Sequence, residues 1–138
     1  MTRFRFIWAA VAEFLLVFGM LNPFDSNAQT PGFVAKPILQ SSVSGQDTME
    51  VFVVAISIAP GSSNDRHTHP GDCYGSVIEG TVEIRADGRE PRQVLAGEAF
   101  HSPRGEIHQF VNVSDKLVRI VNTQVVDKGK PRTQPAPK

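Results

Sequence analysis

The chain of 138 residues has a single cysteine, Cys73, so it can close no disulfide within itself. A small loop-rich scaffold stapled by bridges is therefore excluded. Charge of one sign is also lacking: Lys plus Arg and Asp plus Glu number 14 each, a formal net charge of zero at pH 7. Holding nucleic acid requires a concentrated positive field against phosphates. With no such surplus, no nucleic acid is expected, and a small-molecule substrate is the expected partner. There is no convincing helical stretch, no internal repeat and, past the N-terminus, no long apolar run. The length suits one domain with one modest core.

What is there begins with an amphipathic leader. Arg3 and Arg5 precede IWAAVAEFLLVFGML, an apolar run interrupted by Glu13 and too short to span a bilayer comfortably. Ser26 and Ala28 place small residues where signal peptidase requires them, before Gln29. Residues 1–28 are therefore expected to be a signal peptide, leaving no stable membrane anchor after cleavage and a periplasmic or secreted protein. In an oxidising compartment a lone cysteine needs an explanation.

Residues 29–47 read as a Gly/Pro/Ser-rich lead-in with one extended piece around Phe33 to Leu39. From Met49 the pattern is β throughout. MEVFVVAISIAP is rich in Val and Ile and ends at Pro60-Gly61; Cys73 to Glu79 ends at Gly80. Val82 and Ile84 alternate with Thr81, Glu83 and Arg85, as in a half-buried strand, and Asp87-Gly88 marks a tight turn. PRQVLAGEAF, IHQFVNV and KLVRIVNTQVV complete the set. Seven or eight short strands at this spacing predict an all-β sandwich or barrel over residues 48–126. The tail 127–138, DKGKPRTQPAPK, carries no apolar residue larger than alanine and is expected to be disordered.

All four histidines fall within residues 67–108. Imidazole is the commonest neutral metal ligand, and several converging make a site for a first-row transition metal. His67 and His69 are two apart, so on a strand both rings point to one face. Gly61, His67, His69 and Gly80 fall in register with the first motif of the cupin superfamily. Gly97, Pro103, Gly105, His108 and Asn112 meet every fixed position of the second, sixteen residues on. The chain resembles a small single-domain cupin. That resemblance implies a double-stranded β-helix, the cupin jelly-roll barrel, with His67, His69 and His108 as ligands of one divalent transition metal ion, and a homodimer. His101 matches no ligand position.

Where the family places a glutamate, counting from His69 and from Gly80 both arrive at Cys73. Cys73 is therefore a candidate fourth ligand, whose thiolate would favour Fe, Zn or Cu over Mn or Ni. The alternatives are a buried packing residue behind a three-histidine site and the relic of a lost site. Parity turns Phe110 and Asn112 the same way as His108, Gly75 and Val77 the same way as Cys73, and Tyr74 and Gln109 away. No arginine or lysine is expected inside. An apolar interior fits a small organic or aromatic substrate. What the resemblance implies is a metal-dependent enzyme of dioxygenase type. A lyase, decarboxylase or isomerase with a redox-inert metal, or a non-catalytic metal- or ligand-binding module, stand as alternatives.

Overall fold

The structure is a computed structural model and describes residues 30–137. The expected signal peptide lies outside the described residues. Ten strands follow one another: β1 (Phe33–Val43), β2 (Gln46–Ile58), β3 (His67–Thr68), β4 (Gly71–Glu79), β5 (Thr81–Ala86), β6 (Arg92–Leu95), β7 (Ala99–Ser102), β8 (His108–Val111), β9 (Val118–Asp127) and β10 (Gln134–Pro135). They form two five-stranded antiparallel sheets, in the orders β1-β2-β9-β4-β7 and β10-β3-β8-β5-β6. This is the all-β jelly-roll architecture of a double-stranded β-helix, as the strand rhythm and the motifs predict.

Period-two alternation builds the core. Val54, Ile56 and Ile58 point inward from β2, and Asn122, Ile120 and Val118 lie opposite them on β9. From the second sheet Val82, Ile84, Val94 and Phe110 close the cluster. Burying each large apolar side chain contributes about 1.5–3 kcal/mol. Phe100 of β7 meets Phe110 edge to face at 5.3 Å. Gly75 makes room for this pair: a Cβ there would lie 2.0 Å from the Phe100 ring. Asn112, fully buried, fastens the turn after β8: its amide donates to Ile58 O and Lys116 O, and its Oδ1 accepts from Ser114 N and Oγ.

The extended piece expected around Phe33 to Leu39 lies within the long edge strand β1, which runs over residues 33–43 and pairs with β2 from Phe33↔Ile58 to Val43↔Gln46. The tail, expected to be disordered, has a described course. It returns across the second sheet, where β10 pairs with β3 through Gln134↔Thr68 and Pro135↔His67, and Ala136 N donates to Arg66 O. Composition tracks core formation, and this segment adds nothing to the core. Its order comes from main-chain hydrogen bonds to an open sheet edge, which composition does not record.

Candidate metal centre

The three motif histidines meet at the β3–β8 seam. His67 and His108 are direct cross-strand partners, and His69 follows β3 immediately before Pro70. A residue before proline is held in an extended conformation, which keeps His69 on the same face as His67. His108 is presented by the loop Pro103–Glu106, closed by a hydrogen bond from Glu106 N to Pro103 O. Gly105 takes φ +78° at its third position, a conformation that glycine tolerates best, and donates its N–H to His69 O. The loop that delivers the third histidine is thus tied to the backbone of the second.

The rings pack at centroid distances of 4.5 Å (His67–His108), 4.7 Å (His67–His69) and 5.3 Å (His69–His108). One nitrogen from each lies within 4.8 Å of the others. Each Nδ1 faces a main-chain carbonyl: Asp65 O at 2.9 Å from His67, Arg132 O at 2.6 Å from His69, and Glu106 O at 3.2 Å from His108. A carbonyl can only accept, so these contacts call for Nδ1–H and leave the lone pair on Nε2. The Asn64 amide nitrogen, 3.1 Å from His67 Nδ1, asks for the opposite tautomer; its own Oδ1 accepts from Phe110 N, and a cation at Nε2 selects Nδ1–H.

The ε nitrogens then converge. His67 Nε2 and His69 Nε2 are 3.1 Å apart, and His108 Nε2 is buried with no hydrogen-bond partner. Two imidazole nitrogens binding one ion at about 2.1 Å and near a right angle stand about 3 Å apart. The donor set therefore fits a first-row divalent ion. Burial pushes the histidines down, His69 to about 3 and His108 to about 3 with the His67 charge as a further cause, and His67 in the same direction. All three are neutral at pH 7, the form that binds metal.

Cys73, the fourth candidate, is not in this group. It is fully buried on β4, between its partners Ser102 of β7 and Gln124 of β9. Burial, then the Asp72 charge, pushes its thiol up to about 12, so it stays protonated unless an ion replaces the proton. His101 stands apart, stacked on Tyr74 at 4.9 Å and hydrogen-bonded to Asp72.

A cavity of about 350 Å³ opens over His67 and His69, with apolar walls that include Phe33, Val54, Ile56 and Phe110. The expectation of an interior without basic groups is corrected here: Arg132 and Arg66 both line it. Arg66 gives its guanidinium to both oxygens of Asp87. Arg132 comes from the ordered tail, donates to Gln124 Oε1 at 3.1 Å and lies over the Phe52 ring at 5.8 Å. Asn122 and Gln124, also on the wall, were missed in the sequence; the signal that could have found them is two polar residues interrupting the inward apolar row Val118, Ile120, Val126. Arg132 had no comparable signal, since its segment has neither strand periodicity nor a motif.

The family profile Cupin_2, described as a cupin domain, matches residues 54–124. Germin-like protein 1-1 of Oryza sativa subsp. japonica is 35% identical over 95 residues, covering 65% of this chain and 44% of that protein. Beta-alanine degradation protein BauB of Pseudomonas aeruginosa is 30% identical over 81 residues, covering 57% of this chain and 85% of that protein. The chain spans about half the length of the germin-like relatives it matches. Among solved structures, an uncharacterised protein with a double-stranded β-helix domain from Klebsiella pneumoniae superposes with a TM-score of 0.63 at 20% identity, covering 80% of this chain and 89% of that one.

Proposed function

Because the chain belongs to the cupin family, we propose that it binds one divalent transition metal ion through His67, His69 and His108 and acts as a metal-dependent enzyme of dioxygenase type on a small organic molecule. The observation that carries this reading is the convergence of three ε nitrogens. Each ring is held at Nδ1 by a carbonyl, and the buried His108 Nε2 has no other partner. An iron or copper ion held there supplies Lewis acidity and the capacity to activate dioxygen. The chain's own residues do the rest. The apolar wall excludes water, the carbonyls fix the imidazole tautomers, and Asn122, Gln124 and Arg132 offer polar contacts to a substrate.

Cys73 enters this reading as a buried thiol beside a three-histidine centre, not as a ligand. Elemental analysis of protein purified without chelators tests the centre: about one Fe, Zn or Cu ion per chain is expected, and His108→Ala should lose it. A metal-free wild type would overturn the reading, and oxygen uptake by the metal-loaded protein on small organic substrates checks the reaction type. We also place the protein in the periplasm or outside the cell, to be checked by N-terminal sequencing for a mature start at Gln29. A homodimer is supported by β1, an edge strand among the described residues, where Val34, Ile38 and Leu39 are exposed; sedimentation equilibrium showing only monomer would contradict it.

A further inference from the structure

We propose that Asn64 is a positioning residue of the metal centre: it holds the metal-free His67 as the Nε2–H tautomer, so that filling the site requires the imidazole proton to move to Nδ1. This deepens the metal reading and rests on His67, His69 and His108 being the ligands of one ion. The Asn64 amide has no freedom to turn over. Phe110 N donates to Asn64 Oδ1 at 2.7 Å, and a main-chain N–H can only donate, so the atom it meets is the oxygen. The Asn64 main chain is fixed as well: its O accepts from Gln109 Nε2 at 2.7 Å and its N donates to Phe110 O. What faces His67 Nδ1, at 3.1 Å, is therefore the amide nitrogen, which can only donate.

The position of the proton follows from the neighbours of both ring nitrogens. The contact of His69 Nδ1 with Arg132 O at 2.6 Å requires Nδ1–H and leaves a lone pair on His69 Nε2. His67 Nε2 stands 3.1 Å from that lone pair. With its proton on Nε2, a neutral His67 donates to His69 Nε2 and accepts from Asn64; only Asp65 O, 2.9 Å from Nδ1, gains nothing from it. With its proton on Nδ1, it donates to Asp65 O alone. Two N–H groups then oppose each other at Asn64, and two lone pairs oppose each other at His69. Two hydrogen bonds against one favour Nε2–H in the metal-free protein. Metal binding needs the Nε2 lone pair and reverses the preference: the proton leaves Nε2 and is carried on Nδ1, where Asp65 O accepts it. His67 is neutral in both states, so the ring gains and loses no net proton. Asn64 thus works against metal binding at one ligand, and a carboxylate in its place would support it by accepting from Nδ1–H.

The test is nitrogen NMR of the full chain with isotope-labelled histidine at pH 8, chelator-treated and zinc-loaded. Long-range proton–nitrogen couplings report the tautomer of each ring, and His67→Gln assigns the His67 signals. Chelator-treated wild type should show Nε2–H at His67 and Nδ1–H at His69; zinc-loaded wild type should show Nδ1–H at His67. Asn64→Asp should show Nδ1–H at His67 before zinc is added, and should bind zinc about tenfold or more tightly in competition with a chelator. Ser63→Asp, which adds the same charge one residue away, should keep the wild-type tautomer. Nδ1–H at His67 in chelator-treated wild type, an unchanged tautomer or unchanged zinc affinity in Asn64→Asp, or the same tautomer change in Ser63→Asp would each overturn the proposal. The wild-type measurement needs no variant, so a substitution that fails to fold leaves the proposal open to refutation. The two readings fail separately. A protein with Nε2–H at His67 that takes up no zinc loses the metal function and keeps Asn64 as the group that sets the tautomer; one that takes up zinc with Nδ1–H at His67 in both states keeps the metal function and loses the role of Asn64.

Discussion

Each of the three imidazoles is held from behind by a main-chain carbonyl, from Asp65, Arg132 and Glu106. Main-chain groups are placed by the fold, so single side-chain changes nearby should leave the donor set intact. Cys73 is the sharpest case. It sits on the inward face of β4, where counting along the motif predicts a ligand, yet among the described residues the converging group is His67, His69 and His108. A strand's parity fixes which way a side chain points, but not how far a short one reaches; a glutamate extends two bonds beyond a cysteine. Cys73→Ala is therefore expected to keep one metal ion per chain with affinity within about threefold of wild type, and to cost about 1 kcal/mol of stability for the lost buried atom. Competition titration against a chelator measures the first and urea unfolding the second. A loss of tenfold or more in metal affinity would make the thiol a ligand.

The element of most consequence beyond the motifs is β10 with the turn before it. It pairs with the strand that carries His67, and the carbonyl of Arg132 in the same segment accepts from His69 Nδ1 at 2.6 Å. Groups that orient a ligand from behind typically change metal affinity by about 10- to 100-fold when removed. A chain ending at Lys130 should therefore fold, because the hydrophobic cluster lies entirely within residues 33–120, but should bind metal about tenfold or more weakly. Circular dichroism checks the fold, and the same chelator competition reads the affinity. Wild-type affinity in the truncated chain would show that the carbonyl does not orient His69. The β5–β6 hairpin and the alternation along β9 were legible in the sequence because they bury a row of apolar side chains. The tail was not, because its order comes from backbone hydrogen bonds to an edge, to which any sequence with free N–H and C=O groups can contribute. Of the candidate site, the three histidines were legible through the cupin motifs they resemble, whereas Asn122 and Gln124 were not picked out, although their inward parity on β9 offered a signal. Arg132 depended on a segment whose course only the fold reveals.

For the whole molecule, burying three neutral histidines makes stability depend on pH. In the unfolded chain each takes a proton near 6.5, whereas in the fold His69 and His108 resist until about 3, and His67 is lowered in the same direction. Above pH 6.5 neither state is protonated and these groups contribute no slope. As pH falls below 6.5 the unfolded state binds more protons, so stability falls, by about 1.4 kcal/mol per pH unit for each such histidine. The loss would level off only near pH 3. A domain with roughly 5–15 kcal/mol of net stability cannot sustain that slope from two or three groups across the whole interval. The chelator-treated protein is therefore expected to show a flat unfolding free energy from pH 8 to 6.5, a decline below that, and acid unfolding before pH 3. A bound ion should raise the whole curve at neutral pH and steepen its acid limb, because protons compete for the same ε nitrogens. Urea unfolding followed from pH 8 to pH 4, with and without metal, measures both. His108→Phe, which removes one titrating group from the buried set, should reduce the acid slope of the metal-free protein by about 1.4 kcal/mol per unit. An unchanged slope in that variant, or constant stability between pH 6.5 and 4 in wild type, would mean that the histidines are protonated in the fold and do not meet as a neutral cluster.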